Sequence, residues 1–573
     1  MQSKNEASLH AYPVKGHPSG ILAVMATTVN VTLTIAPATV VTVGIDEYYD
    51  LLRQNLIYSV VGGGPVDRPD FSDEQYAELE DPAGLFGKHL GKSLGSDGTL
   101  GLKTSLDSNY GTHPVGMDFV DGTPNTRRST LVLSAPNTTV ASGSAIDYAQ
   151  RVQVLLPVKT TRWRFRIANR NILAGTSLTS ALVCTDMYLG APAASATYVA
   201  GGRWSGSFVS APAKVLSGFS VPTDGSDYVS PWVTDSSKQF QPYEAAMLSY
   251  GLTAATGGTG YARGASEQWA FKVGGSAEFA STTLAAATVG RSGNWGDVRI
   301  EYEYTEDVPI VAVVGTSLDW GYGDGDMTTL QNGCLAHEAW PVAAGLQGRF
   351  VAINLAIPSA VAANFGAANL SSFTRVDWAT TVPDVAVVAG FTNDVGASRF
   401  STMTAILTTV AVLKSLGVKR IVLATLPPRG DIITGTVGSL AAAASSGATS
   451  VSSTISVASG QGFQIGTGRT QQVVATTGAP TGSGPYTIPV PALSAAHASG
   501  EVVYSGSELN RRQINDFIRQ VPQGVHRVLD FDRELAATPG ASVMDPNYAS
   551  ADTLHILRAG AQKQADIAAA LGR

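Results

Sequence analysis

Cysteine is nearly absent: Cys184 and Cys334 are the only two in 573 residues. Only two thiols leave no disulfide framework and no cysteine-based zinc site, and both are expected to be free and buried. Charge is scarce as well, at 14% Asp, Glu, Lys and Arg. Glycine and small polar residues fill the gap, a balance typical of all-β, extracellular or virion proteins. No long basic run interrupts a net charge of -7, which argues against a nucleic-acid partner. No apolar run approaches the roughly eighteen residues of a membrane span. The opening stretch MQSKNEASLHAYPVKGHPSG lacks the apolar core of a signal peptide, so ordinary secretion is not supported. Residues 1–28, with a second methionine at Met25, read as a disordered leader.

What is present is enough apolar material, 44%, for real cores, and enough length for two to four units. Residues 29–128 form an N-terminal segment and linker. Its short strand alternates Val29, Val31, Leu33 and Ile35, a helix is expected over "DEYYDLLRQNLI", and residues 61–128 show no sustained period. From 129 to 305 the signals are short strands between Gly, Ser, Asn and Pro clusters, which predicts a jelly-roll-like β-sandwich. In "RWRFRIAN", Trp163, Phe165 and Ile167 alternate with Arg162, Arg164 and Arg166, giving one core face and one charged face. Trp204, Tyr228 and Trp232 could be sugar-stacking platforms or core and rim aromatics.

After residue 306 the pattern changes to apolar strands alternating with helices: 310–315, 349–356, 384–391, 419–426 and 526–532. Helices are expected at 401–417 and 507–520. This alternation predicts an α/β/α layered domain over 306–573 with a parallel sheet of order 2-1-3-4-5. Residues 435–505 interrupt it and are almost free of charge. A small β-rich insertion is favoured over a disordered loop, because Val473, Val474, Ile488, Val490, Val502 and Val503 need burial.

Four blocks in this last domain carry chemistry. Gly315-Thr316-Ser317 follows the first strand, and sites in open α/β sheets lie beyond the carboxyl ends of strands. "INLAIPSA" (353–360) ends the second strand, "GFTND" (390–394) the third, and "DTLH" (552–555) precedes the terminal helix. Each alone has an ordinary reading: a helix cap, a turn, a surface histidine. Of the eight histidines, His555 is distinguished by an Asp three residues before it, in a prehelical turn. His337 lacks that neighbour.

Taken in order, the blocks resemble those of the SGNH (GDSL-type) hydrolase superfamily over residues 308–573. The resemblance implies an α/β/α serine esterase. In it Ser317 is the nucleophile, His555 the general base and Asp552 the carboxylate that orients it. The oxyanion donors it implies are the N–H groups of Ser317 and Ser359 and the side-chain amide of Asn393. Ser359 stands where the family usually has glycine; its N–H survives the replacement, whereas its backbone conformation is the open question. Thr316 replaces an Asp that is not catalytic in the family. A serine hydroxyl needs a neighbouring imidazole to take its proton, and the imidazole needs a carboxylate to fix its tautomer. Such chemistry uses no metal or cofactor, and none is expected.

The family's substrates are varied. A preceding β-sandwich, no long apolar lid, and Trp320 and Tyr322 close to the nucleophile favour an acetylated polysaccharide. The segment "VTLTIAPATVVTVGIDEYYDLLRQNLI" resembles opening modules of phage tail-associated proteins, and the insertion resembles small β modules of phage structural proteins. These resemblances imply a virion enzyme acting outside the cell beside other tail proteins; a bacterial protein secreted by another route fits equally. A catalytically inactive structural or carbohydrate-binding tail protein is the alternative function.

Overall fold

The computed structural model describes residues 126–572 except 142–145, 195–203, 255–259, 265–268, 285–287, 290–293, 322–338, 369, 371 and 469–470, together with three earlier strands. The chain divides into two compact units, residues 1–119 and 120–573. In the first, Thr28–Leu33 pairs antiparallel with Val40–Gly44 on one side and Ile57–Val60 on the other. Thr28 thus belongs to a strand and not to a leader. Ile57, placed by its sequence at the end of a helix, opens a strand. The rest of the predicted leader and helix, and the linker up to residue 125, lie outside the described residues.

The second unit begins with antiparallel strands. One sheet is built around Ile146–Val154, Ala246–Ala254 and Leu182–Gly190; another runs from Tyr228–Val229 through Arg162–Ala168 and Asp297–Tyr304 to Arg127–Val132. That last strand starts two residues before the predicted boundary at 129. The polar look of Arg127 and Arg128 hid it: they pair with Asp384 and Glu303 at 2.5 and 2.7 Å. Trp163, Phe165 and Ile167 are fully buried, and the Phe165 ring meets Tyr250 of the other sheet edge-on at 5.5 Å. Arg162 and Arg164 face outward and each lies 4.5 Å over the Trp232 ring.

The α/β part follows. Its strands are β1 (Ile310–Val314), β2 (Val351–Asn354), β3 (Val385–Val388), β4 (Arg420–Ala424) and β5 (Arg527–Leu529), all parallel, in spatial order β2-β1-β3-β4-β5. The helices are α1 (Ser317–Trp320), α2 (Trp340–Gly348), α3 (Arg399–Ser415), α4 (Gly506–Arg519), α5 (Phe531–Leu535) and α6 (Arg558–Ala568). Alternation along β1 sends Ala312 and Val314 into the core shared with Ile406, Val410, Leu413 and Ile514. Val311 and Val313 enter a second core with Trp340, Ala344, Ala565 and Ala568. Helices α3 and α4 therefore cover one face, and α2 and α6 the other.

Between β4 and α4, residues 437–505 build their own small sheets and a core of Leu440, Phe463, Ile465, Ile488 and Val503. Val474 and Val490 join it, but Val473 is exposed, because alternation on Gln472–Ala475 turns only Val474 inward.

The β-rich and α/β parts share one hydrophobic core. A buried charge cluster reinforces the junction. Asp297 is inaccessible and pairs with Arg170 at 2.6 Å and with Arg375, from the α/β part, at 3.2 Å. Burial alone would raise this carboxyl, yet Arg299, Arg170 and Arg375 hold it well below the usual range. Removing one partner from such a cluster strands a charge at a cost of about 3–5 kcal/mol.

Candidate active site

The end of β1 turns sharply at Gly315. Thr316 is extended, Ser317 is the first residue of α1, and Gly321 closes that single turn in the left-handed region at φ 82°. Asp319 ties the turn together. One of its carboxylate oxygens accepts the Thr316 N–H at 2.8 Å, and the other accepts the Trp340 indole N–H at 2.8 Å. The Asn354 amide donates to the Asp319 carbonyl at 2.9 Å. Complete burial pushes the Asp319 carboxyl up to about 6, against the pull of those hydrogen bonds.

His555 reaches this turn from the other end of the sequence. Its Nε2 lies 3.1 Å from Ser317 Oγ, and its Nδ1 lies 2.5 Å from Asp552 Oδ2. The other Asp552 oxygen accepts from Ser550 Oγ at 2.6 Å, Leu554 N at 2.9 Å and His555 N at 2.8 Å. Partial burial opposes ionisation of Asp552, but these donors win and hold its carboxyl at about 2. The structure therefore brings Ser317, His555 and Asp552 into one hydrogen-bonded line, with the carboxylate charged and the imidazole oriented by it.

The strand order puts the ends of β2 and β3 on either side of Ser317. Ile357 N–H donates to the Gly315 carbonyl at 3.1 Å, and Ala389 N–H donates to the Val314 carbonyl at 2.9 Å. Ser359, just beyond, is exposed and adopts φ 67°, the left-handed region where glycine is at home. A non-glycine residue pays about 1–2 kcal/mol there, so surrounding contacts must hold it. Asn393 supplies one: its amide donates to the Ala360 carbonyl at 2.8 Å. An amide nitrogen carries two hydrogens, and this bond uses one. Asp394 supplies another by accepting the Ala362 N–H at 2.9 Å, and burial raises its carboxyl. No acceptor meets the Ser359 N–H among the described residues. Among those residues there is likewise no cluster of His, Cys, Asp and Glu able to hold a metal.

No family model matches the chain, and no curated protein matches it. Solved structures similar to it include a family two carbohydrate esterase from Clostridium thermocellum in complex with cellohexaose. That match has 13% identity and a TM-score of 0.28, and covers 77% of this chain and 98% of that one. A member of the lipolytic G-D-S-L family from Veillonella parvula matches at 11% identity and TM-score 0.26, covering 45% and 95%. The salicylyl-acyltransferase SsfX3 of a tetracycline biosynthetic pathway matches at 10% and 0.26, covering 71% and 80%. Scores this low decide no function for this chain.

Three contributors escaped the sequence reading. Asp319 had a signal, since it stands three residues after Thr316 at a helix start, the spacing of a capping box. Arg429 had none: its guanidinium donates to the Thr392 carbonyl at 2.5 Å and pairs with Asp431, steadying the residue before Asn393. Gly430 donates its N–H to the Thr553 carbonyl at 2.9 Å, and a Cβ there would lie 2.6 Å from that of Thr553. Of the aromatics proposed for sugar, Trp320 is buried in the core and Tyr228 stacks on Phe219 at 3.8 Å. Tyr322, His337 and Cys334, and the side chain of Trp204, lie outside the described residues; Cys184 is buried and free.

Proposed function

We propose that this chain is a serine esterase of the SGNH type, with an α/β/α catalytic domain preceded by a jelly-roll-like β-sandwich. The observation that carries the reading is the line from Ser317 Oγ to His555 Nε2 at 3.1 Å and from His555 Nδ1 to Asp552 at 2.5 Å. His555 takes the Ser317 proton as Oγ attacks the ester carbonyl, and Asp552 stabilises the imidazolium. Negative charge collects on the former carbonyl oxygen, where the N–H groups of Ser317 and Ser359 and the free amide hydrogen of Asn393 receive it. The tetrahedral adduct collapses with proton return from His555 to the leaving alcohol, and water then repeats the sequence on the acyl-serine.

The substrate we favour is an O-acetylated bacterial surface polysaccharide, cleaved by a phage-tail enzyme outside the cell. What supports it is the pairing of a serine site with a large β-rich partner and the tail-module resemblance of the N-terminal segment. The inactive-tail-protein alternative rests on Ser359; the φ of 67° at that residue, a glycine-type backbone, supports the active reading.

p-Nitrophenyl acetate hydrolysis and labelling by a serine-directed phosphonate test the catalytic reading. Wild type should turn over and be labelled at Ser317, and Ser317→Ala should do neither. Equal inactivity of both, with no label, sinks it. Acetate release from a panel of bacterial capsules then tests the substrate.

A further inference from the structure

Ser359 N–H belongs to the same peptide unit as the Pro358 carbonyl. A trans peptide points its C=O and N–H in opposite directions, so whatever grips the Pro358 oxygen also aims the Ser359 N–H. The grip comes from outside the α/β part. Asn137, on the strand Pro136–Val140 of the β-rich part, donates its side-chain amide to the Pro358 carbonyl at 3.1 Å. Only the NH2 end of that amide can make this bond, because a carbonyl oxygen accepts and never donates.

We infer that Asn137 is a positioning residue for the oxyanion site, acting through the Pro358–Ser359 peptide. The inference rests on the esterase reading above and extends the reacting assembly into the β-rich part. Two effects operate together. The first is orientation: Asn137 restrains one end of the left-handed turn while Asn393 restrains the other through Ala360, so the Ser359 N–H has one direction left. The second is polarisation, since a hydrogen bond accepted by a carbonyl strengthens the donor at the far side of the same peptide. The β-rich part touches this loop again where Asn364 donates to the Leu173 carbonyl at 3.4 Å and accepts the Val361 N–H at 2.8 Å. The loop is thus braced on both sides, and its exposed N–H is left for an incoming oxyanion.

The test compares the full-length chain with Asn137→Ala and Asn137→Ser on p-nitrophenyl acetate. A donor that is loosened but not deleted should cost less than the roughly 10²–10³ of outright removal. We expect kcat to fall about tenfold in both variants with KM within about twofold of wild type, and amide exchange at Ser359–Val361 to quicken. An unchanged kcat in both variants, with wild type active, overturns the inference. Failure of the esterase reading looks different: wild type is itself inactive and Ser317 takes no phosphonate. In that event faster exchange at Ser359–Val361 in Asn137→Ala still supports the positioning, and unchanged exchange overturns it.

Discussion

A Cβ on Gly315 would lie 2.2 Å from the carboxylate oxygen of Asp319 that holds the Thr316 N–H. The Ser317 turn is therefore closed around a missing side chain, and Gly315 and Asp319 are one feature. Ala389 crowds the same point at 3.0 Å, so a methyl has no escape. Gly315→Ala should destabilise the fold by about 1–3 kcal/mol, the range for overpacking a close-packed site. It should also cut turnover, because relief requires Asp319 to release Thr316. Urea unfolding and p-nitrophenyl acetate kinetics measure both; wild-type values would show that the turn is softer than the contact implies.

Ser317, His555 and Asp552 should act as a unit. Removal of Ser317 or His555 alone is expected to abolish almost all turnover, and the Ser317→Ala/His555→Ala double variant should be no slower than either single one. Asp552→Asn keeps the shape but turns a donor toward His555, with an expected loss of about 10⁴ in kcat. Additive losses in the double variant would place one of the two outside the reacting assembly.

In the proposed mechanism Ser359 contributes its backbone, not its hydroxyl, so Ser359→Gly should keep wild-type kcat. Ser359→Pro removes the N–H and cannot take φ 67°, so it should lose at least the roughly 10²–10³ of a missing oxyanion donor. Equal kcat values for the two variants would remove Ser359 from the site.

Asp319 predicts a pH effect on stability. Its folded carboxyl titrates near about 6, above the ordinary value of 3.8, so between these the folded chain holds a proton the unfolded chain has lost. Stability from this group is fully present below about 4 and falls as pH rises toward about 6. The difference in urea midpoint between wild type and Asp319→Asn should drop across that window. Parallel profiles would mean that Asp319 is charged throughout.

The ordered blocks in the sequence singled out Ser317, His555 and Asp552 by their resemblance, and the structure brings these three side chains together. Their blocks follow local rules: an apolar strand ends in Gly-Thr-Ser, and an Asp precedes a His by three in a short turn. The alternation in "RWRFRIAN" likewise needed only the two-residue period of a strand, and Trp163, Phe165 and Ile167 are indeed inside. Val473 shows where a local rule stops, since apolar identity does not say which face of a strand meets a core. Tertiary structure decided the rest. The backbone on either side of Ser359, itself at φ 67°, is hydrogen-bonded to Asn137, Asn393 and Asp394, residues up to two hundred and twenty-two positions away along the chain. Arg429 reaches Thr392, and Asp297 meets Arg375, through folds of the chain that no short window contains. A hydrogen bond depends on distance in space, and sequence spacing fixes that distance only within a turn, a helix or a strand.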